Sequence, residues 1–487
     1  MTTILNEFDG CDLGDARREA RLLMLAEALA KDPGLSFPEA LPQRAALEAC
    51  YRLVNNENVD SQALLRPHVL ATAARLHEHA RVLAVHDSTH FQPSAKAIRE
   101  GFGARGFWAH ATLAVAADGR REPLGLLGLE AWPSPEDKNE TTTTTTTKST
   151  RTTKTGRTTK TTTTKATKRR PSTEERRHDD KRLSKRWLRA SLAAEAVVSG
   201  VVLIHVEDRE ADIYACMEAR LKAGMHFIVR AQSYRKVVVA DDVENILEHM
   251  RGQPHGLRRQ AHLSRRQVKP GMKSSHQSRE GREVQLTMAA APVVVRRSLK
   301  DRSNVAASLS LNAVHVVEVD APEGEQPVEW LLLTTEPIGT DAEIEFVVDS
   351  YRARWVIEEY FKALKTGCAY ESRQLESYDA LLNALSIFAV IAWQLLWMRF
   401  AAQHETAESV SSVVSDDELA VLTAQARIGA DPTVQDVMRG IAKLGGHLKW
   451  NGEPGWEVLW RGFRTLRLLA SGLALGRKLE LERSDQW

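Results

Sequence analysis

Cysteine is scarce in this chain of 487 residues, which contains four. Cys11, Cys50, Cys216 and Cys368 lie far apart and form no CxxC pair, so the usual spacings of zinc sites are excluded. With 43% hydrophobic and 27% charged residues, the chain can form a sizeable core without metal or disulfide support. We therefore expect a protein of the reducing cytoplasm.

A secretion signal and long apolar runs are also missing. The first residues, MTTILNEFDG, have neither the basic nor the apolar region of a signal peptide. The longest apolar stretch, Ala384 to Met398, is too short to span a bilayer and is interrupted by Ser386 and Gln394. We expect a buried helix there and no membrane partner.

Net charge is nearly absent, at +2, but its distribution is uneven. Between Lys148 and Arg186 there are 15 basic and 4 acidic residues, so that segment carries +11 and the rest of the chain −9. Such a block suits either a phosphate-binding tract or a solvated linker without a specific partner. Residues from about 138 to 172 are rich in threonine and lysine, and we expect a disordered loop there.

Hydrophobic periodicity divides the chain into three regions. Residues 1–70 read as short helices, which suit a DNA-docking module or any other helical bundle. Residues 71–370 alternate strands and helices, with a β-rich stretch at about 236–340 and then one long helix from Asp341 through YRARWVIEEYFKALKTG. Residues 371–487 are helical by pattern. A mixed α/β fold is predicted, and a ribonuclease-H-like fold is one such architecture.

Two aspartates stand at the ends of predicted strands. Asp87 ends the first strand, in AVHDSTH, and Asp208 ends a strongly apolar strand, in LIHVEDREAD. Ligands gather at strand ends in open α/β sheets, and carboxylate oxygens are ligands that Mg²⁺ prefers. Each aspartate taken alone suits a turn or a helix cap equally well.

One face of the long predicted helix carries an aromatic, a carboxylate and three cations. At about 100° per residue these side chains fall within a sector of about 80°, and they are Tyr351, Arg354, Glu358, Lys362 and Lys365. Glu359 lies roughly 100° from Glu358 and is the weaker candidate ligand. The stripe suits a site that holds Mg²⁺ and clamps phosphates, or a solvated face with ion pairs four residues apart.

These segments together resemble the insertion-sequence-four family of bacterial transposases. YRARWVIEEYFKALKTG resembles that family's Y-(2)-R-(3)-E-(6)-K signature, with Tyr351, Arg354, Glu358 and Lys365 in its four positions. VEDREADIYACM resembles its second-aspartate segment and AVHDSTH its first. The resemblance runs from LGDARREARL through WLLLTTEP to GWEVLWRGFRTLRLL, but the threonine-lysine tract has no counterpart.

The resemblance implies an α/β fold with a ribonuclease-H-like catalytic core at 71–370 and a β-rich insertion at about 236–340. An N-terminal helical domain (1–70) would bind transposon ends, and a C-terminal helical domain (371–487) would form the homodimer that pairs them. Asp87, Asp208 and Glu358 would ligate two Mg²⁺ ions, for which Mn²⁺ can substitute. The implied activity is cut-and-paste transposition, in which a DNA hairpin forms at each terminal inverted repeat and the freed 3′ ends then join target DNA.

Further residues match DNA-contacting positions of the family. Tyr351, Arg354, Lys362 and Lys365 would contact phosphates near the cut, and Trp330 would stack on a flipped base, although a tryptophan in a strand also suits a core. The remaining predicted DNA contacts are Arg230, Arg235, Arg17, Arg18 and Arg21. Two alternatives remain. An inactive regulator or decayed copy would occupy transposon ends without cutting, whereas a host nuclease would leave the basic helices and the stripe unexplained.

Overall fold

The computed structural model describes residues 4–93, 106–134, 185–240, 242–263, 279–298, 305–375, 377–406, 409–448 and 452–484. The threonine-lysine tract predicted as a loop at about 138–172 lies outside these residues.

Eleven strands of the described residues join one mixed sheet in the order β3-β2-β1-β4-β5-β11-β10-β9-β6-β7, with β8 also paired to β9. The strands are β1 (Arg81–Phe91), β2 (Phe107–Ala116), β3 (Pro123–Pro133), β4 (Val202–Glu207), β5 (His226–Arg230), β6 (Lys236–Val239), β7 (Asp242–Asn245), β8 (Leu257–Leu263), β9 (Arg282–Arg296), β10 (Ser308–Val319) and β11 (Glu329–Thr334).

Helices precede, interrupt and follow the sheet, so the N-terminal and C-terminal regions are helical as predicted. They are α1 (Ala16–Lys31), α2 (Phe37–Ala40), α3 (Arg44–Val54), α4 (Ser61–Arg75), α5 (Arg186–Val197), α6 (Tyr214–Lys222), α7 (Ile246–Arg251), α8 (Asp341–Ala353), α9 (Trp355–Lys362), α10 (Tyr378–Gln403), α11 (Asp416–Ala426), α12 (Val434–Leu444) and α13 (Trp456–Ser484).

The first five strands have the order expected of a ribonuclease-H-like core. β1, β2 and β3 form an antiparallel meander, and β4 then pairs in parallel with β1 and with β5. A turn at Asp118-Gly119 joins β2 to β3, where Gly119 adopts a φ of +84° that glycine tolerates. Strands β6 to β11 extend the same sheet beyond β5 through β11. The mixed α/β prediction is confirmed.

Helices cover both faces of the sheet because strand residues alternate between them. Val85 of β1 and Val206 of β4 belong to the large core that includes residues of α8, α9 and α10. Ala84 of β1 and Leu203 of β4 face the other way and pack in a separate cluster with Ala194 of α5. Strands β1 and β4 are therefore buried on both faces.

Helix α10 lies inside this core, as expected for the stretch from Ala384 to Met398. By length and composition it could cross a membrane, but 94% of its most apolar window is buried inside the protein. Trp393 of α10 donates from its indole nitrogen to the carbonyl oxygen of Pro123 at 2.8 Å. The helix therefore packs as a core helix, and it shares its hydrophobic cluster with α1, α3 and α4.

The long helix predicted from Asp341 onward is present but irregular, with Arg354 itself in helical dihedral angles. The structure divides it at Arg354 into α8 and α9 and then widens it into a π turn at Ala363–Gly367. Helix propensity does not predict the π turn, because its last residue, Gly367, is held by tertiary packing. A Cβ there would lie 3.1 Å from a side-chain atom of Leu395 and 3.4 Å from one of Trp456.

A second difference lies in the region predicted as β-rich. Helix α7 interrupts it directly after β7, because the side chain of Asn245 caps the helix by accepting from the backbone N–H groups of Leu247 and Glu248. The other predicted strands of the region are present as β9, β10 and β11.

The crossing of α12 and α13 generates a stability prediction. A Cβ on Gly462 would lie 1.8 Å from the carbonyl oxygen of Ile441, so Gly462→Ala forces two backbones apart. We expect the free energy of unfolding to fall by about 2 kcal/mol, measured by urea denaturation.

Gly472→Ala is the matched control on the same helix. Nothing lies within 4 Å of the added Cβ at that position, so the substitution should raise stability by up to about 1 kcal/mol through helix propensity. Equal stabilities of the two variants would contradict the close crossing.

Candidate active site

Asp87 lies inside β1, which continues to Phe91 and does not end at Asp87 as predicted, and Asp208 directly follows the parallel neighbour β4. Val85 of β1 is paired with Val206 of β4, and Asp87 and Asp208 each follow two residues later. Both carboxylates therefore lie at the same edge and on the same face of the sheet. Asp87 accepts at Oδ1 from the backbone N–H of Ser88 at 2.7 Å, and Asp208 accepts at Oδ1 from the backbone N–H of Glu210 at 2.8 Å.

Glu358 comes to this edge from α9 and is joined to Asp87 by Arg354. One terminal nitrogen of the Arg354 guanidinium donates to Asp87 Oδ2 at 2.9 Å, and the other donates to Glu358 Oε1 at 2.6 Å. The ion pair between Arg354 and Glu358, which the sequence offered as an alternative to a metal site, is thus present. The same guanidinium, however, also binds Asp87 of β1. Glu359 pairs instead with Arg399 of α10, at 2.6 Å.

The electrostatics of Asp87 show that the three carboxylates act on one another. Burial, with smaller contributions from the charges of Asp208 and Glu358, raises the pKa of Asp87 to about 6 against the opposing effect of Arg354. A raised pKa means that the ionised form of Asp87 is unfavourable in the folded protein. The triad predicted from sequence is therefore brought together in one local field.

The donor chemistry of this edge fits a divalent metal ion. Three carboxylates offer hard oxygen ligands of the kind that Mg²⁺ prefers. In the described part of the chain, however, no three His, Cys, Asp or Glu side chains are gathered closely enough to hold a metal ion. Arg354 lies between two of the carboxylates, so Asp87, Asp208 and Glu358 fit the ion by chemistry but would have to close around it.

The other members of the predicted stripe surround the carboxylates unevenly. Tyr351 is 6% exposed and lies edge-to-face against half-buried Trp330, with ring centroids 5.5 Å apart. Lys362 is exposed, and its ammonium lies 5.8 Å from the ring of Trp456. Lys365, within the π turn, donates to the carbonyl oxygen of His90 in β1 at 2.5 Å.

The predicted DNA-binding arginines differ in how free they are. Arg230 ends β5 at the same sheet edge and donates to the carbonyl oxygen of Glu329 at 3.2 Å. Arg235 is held by Asp212, with its Nε 2.8 Å from Oδ1, and its side chain is only 12% exposed. A DNA contact by Arg235 would therefore require this ion pair to open.

The basic residues of α1 lie in its first two turns. Arg17 is exposed at the helix start, Arg18 donates to the carbonyl oxygen of Leu13 at 2.8 Å, and Arg21 is half-buried. Arg17 is therefore the most accessible of the three for an external phosphate.

Sequence reasoning missed a buried polar layer behind the two aspartates. Glu207, the residue before Asp208, is fully buried and forms a two-pronged ion pair with Arg220, which is also fully buried. Nε2 of His86, the residue before Asp87, lies 2.9 Å from Nδ1 of His205. The one available signal was the polar residue preceding each aspartate in an otherwise apolar strand.

Arg186 was missed as well. Its Nε donates to Ser88 Oγ at 2.9 Å and its terminal nitrogen to Glu210 at 2.6 Å. It therefore connects the residue after Asp87 to the turn that follows Asp208, and no pattern in the sequence pairs these positions.

The raised pKa of Asp87 predicts how stability depends on pH. The contribution of its protonated form is complete below about pH 4 and is lost as pH rises through about 6. Asp87→Asn removes this ionisation, so between pH 4 and pH 8 the variant should gain about 3 kcal/mol relative to wild type. Urea denaturation in a metal-chelating buffer measures the difference.

Asp118→Asn should change the free energy of unfolding in the opposite direction. Burial raises the pKa of Asp118, but hydrogen bonds from Arg120 outweigh that effect and lower it overall, so the loss of this carboxylate should cost stability above pH 4. A pH-independent difference for Asp87→Asn would show that its carboxyl group is not perturbed.

Two family models match this chain. Residues 83–394, well over half of its length, match the model described as transposase DDE domain, and residues 2–59 match transposase DNA-binding. A solved piggyBac transposase synaptic complex with hairpin DNA is 9% identical over 81% of this chain and 68% of that chain, with a TM-score of 0.33, which is too low to support an argument. The match over residues 83–394 contains Asp87, Asp208 and Glu358, and the chain belongs to the DDE transposase family.

Proposed function

We propose that this transposase cuts and pastes a bacterial mobile element of the insertion-sequence-four group, close to the transposon-five transposase. It binds the terminal inverted repeats of the element, excises the element through a DNA hairpin at each end and joins the freed 3′ ends to target DNA. The DNA is cytoplasmic, and so is the site of action.

One observation carries the proposal. Asp87, Asp208 and Glu358 come from β1, from the turn after β4 and from α9, yet Asp208 and Glu358 both lie close enough to Asp87 for their charges to raise its pKa. A purely structural role for three acidic side chains at one edge is unfavourable, because like charges destabilise one another. A site that recruits cations gives this arrangement a function.

We propose that these carboxylates hold two Mg²⁺ ions, with Mn²⁺ as a substitute. When bound, the ions would activate a water or 3′-hydroxyl and stabilise the leaving oxygen in a direct phosphoryl displacement. The protein side chains would fix the scissile phosphate between the carboxylates and the cations of the stripe. Lys362 is exposed, whereas Lys365 is anchored on β1, so Lys362 is the more accessible of the two to a DNA phosphate.

The proposed DNA contacts extend along the sheet edge. Arg230 ends β5, and Trp330 lies near the start of the antiparallel neighbour β11, so both belong to the edge that carries Asp208. The edge-to-face contact with Tyr351 leaves Trp330 half-buried, so part of its surface remains available to a base. Stacking on such a ring would compensate a base for leaving the DNA helix.

We also propose that α13 pairs two copies of the chain. Leu468, Leu475 and Leu479 are 74%, 58% and 51% exposed on one helix, which is unusual for leucine at a surface without a partner. A second copy would cover them and bring two transposon ends together.

Metal-dependent cleavage tests the proposed chemistry. Purified protein should cut a duplex that ends in the inverted repeat flanking its gene only when Mg²⁺ or Mn²⁺ is present. Asp208→Asn and Glu358→Gln should each slow cutting by on the order of a thousandfold or more, since each removes a metal ligand, while a gel-shift assay shows nearly unchanged DNA binding.

Glu359→Gln is the matched control for the helix. Its carboxylate pairs with Arg399 rather than with the site, so cutting should stay within a few-fold of wild type. Cutting by Asp208→Asn at the wild-type rate would refute the triad. Binding without cutting by the wild-type protein would identify a regulator instead.

Trp330→Ala tests the base-stacking role. The loss of a stacking surface should slow hairpin formation by roughly tenfold or more and leave the first-strand nick less affected. Both products are resolved on denaturing gels, and Trp330→Phe should restore part of the hairpin rate. An equal loss in both steps would mean that Trp330 serves only to pack against Tyr351.

A further inference from the structure

Arg354 occupies the position between two of the proposed metal ligands. Its two terminal nitrogens bind Asp87 and Glu358 separately, at 2.9 and 2.6 Å, and its side chain is only 11% exposed. We call this pair of hydrogen bonds the Arg354 bridge. Oxygens engaged in short bonds to a guanidinium are not free to coordinate an ion, so the bridge and a metal ion compete for the same ligands.

The shape of arginine matters to the bridge. A guanidinium is planar and carries donors in a fixed fork, so it can hold two carboxylates from different elements at once, as a lysine ammonium cannot do with the same geometry. Here the fork joins β1 to α9 across a gap in sequence of more than 250 residues. The bridge is therefore a structural connection as well as a charge pair.

Arg354 is also placed where its side chain can leave. It lies at the junction between α8 and α9, where the helix is interrupted by a turn, and its guanidinium is 5.8 Å from the ring of Trp355, which is 55% exposed. A swing of the side chain toward this exposed ring would bring the guanidinium out of the site without moving either helix.

We propose that the Arg354 bridge keeps the metal site closed until DNA is bound. A phosphate of the DNA end would accept the guanidinium fork, because arginine binds phosphate in the same two-pronged manner as carboxylate. Asp87 and Glu358 would then be released to close around the metal ion with Asp208. This inference rests on the proposed function, since it assumes that phosphate and metal meet at this edge.

The consequence is a coupling between two ligands. If DNA binding frees the carboxylates, DNA must raise the affinity for metal, and metal must raise the affinity for DNA by the same factor. A chain without DNA would hold metal weakly and would therefore not cut DNA that it has not bound through Arg354.

Metal binding by the DNA-free protein tests the bridge. Free Mn²⁺ is measured by electron paramagnetic resonance during titration of the full chain. Arg354→Gln should bind Mn²⁺ about tenfold more tightly than wild type, within the usual range of coupling between sites. Arg354→Lys keeps the charge but lacks the fork, so it should bind nearly as tightly as Arg354→Gln.

Arg352→Gln is the matched control, because that arginine lies on the same helix and pairs with Asp349, away from the carboxylates. Its Mn²⁺ affinity should equal that of wild type, and melting temperatures should show that each variant is folded. Wild-type affinity in Arg354→Gln would overturn the bridge. Tight binding by Arg354→Gln but not by Arg354→Lys would show that charge alone acts, which also overturns it.

A second set of Mn²⁺ titrations, with DNA present, distinguishes this inference from the proposed function. The probe is a duplex selected by gel shift from the DNA flanking the gene, and it should tighten Mn²⁺ binding by wild type about tenfold and by Arg354→Gln much less. Equal tightening of both would overturn the role of DNA in opening the bridge. If the wild-type protein never cuts DNA but the DNA-free affinities are as expected, the proposed function fails and the Arg354 bridge stands.

Discussion

The parallel pairing of β1 with β4 is the constraint on which the site depends. It places Asp87 beside Asp208 although the two are far apart in sequence, and a shift of one residue would turn one carboxylate to the opposite face of the sheet. The contact between His86 of β1 and His205 of β4 opposes such a shift, because it exists in one register only. A buried polar group that loses its partner is destabilising, so this contact helps to specify the register.

The charges of the site work against the fold. Burial, together with the charges of Asp208 and Glu358, raises the pKa of Asp87 to about 6, so the folded protein holds an unfavourable negative charge at neutral pH. Arg354 offsets part of this repulsion from within the chain. A divalent ion can offset it more fully, since it carries two charges and binds several oxygens at once. The same repulsion that reduces stability therefore provides the driving force for recruiting cations.

Much of the fold followed from local patterns, whereas the connections within the site did not. The apolar strands that carry or precede Asp87 and Asp208 were predicted because burial on both faces leaves a clear signal, although β1 continues beyond Asp87 to Phe91. The face carrying Glu358 followed from helical spacing. The break at Arg354 and the bridge from it to β1 could not be predicted, because both depend on a strand that is distant in sequence. The same holds for Arg235. The motif predicted that it contacts DNA, but nothing in the sequence predicted the ion pair with Asp212 that holds it in the structure.

The region that matches transposase DNA-binding is tied to the segment just after the helix that carries Glu358. Arg373, 3% exposed, donates to the carbonyl oxygens of Pro33 and Leu35 in the loop after α1 and to that of Cys368 just beyond the π turn. Arg467 of α13 donates to the last carbonyls of α1. Separating either guanidinium group from its backbone carbonyls is unfavourable, because each would lose several hydrogen bonds at once. Under the proposed function, a DNA end held by α1 therefore meets the carboxylates at a distance set by a shared core, and not at the end of a flexible linker.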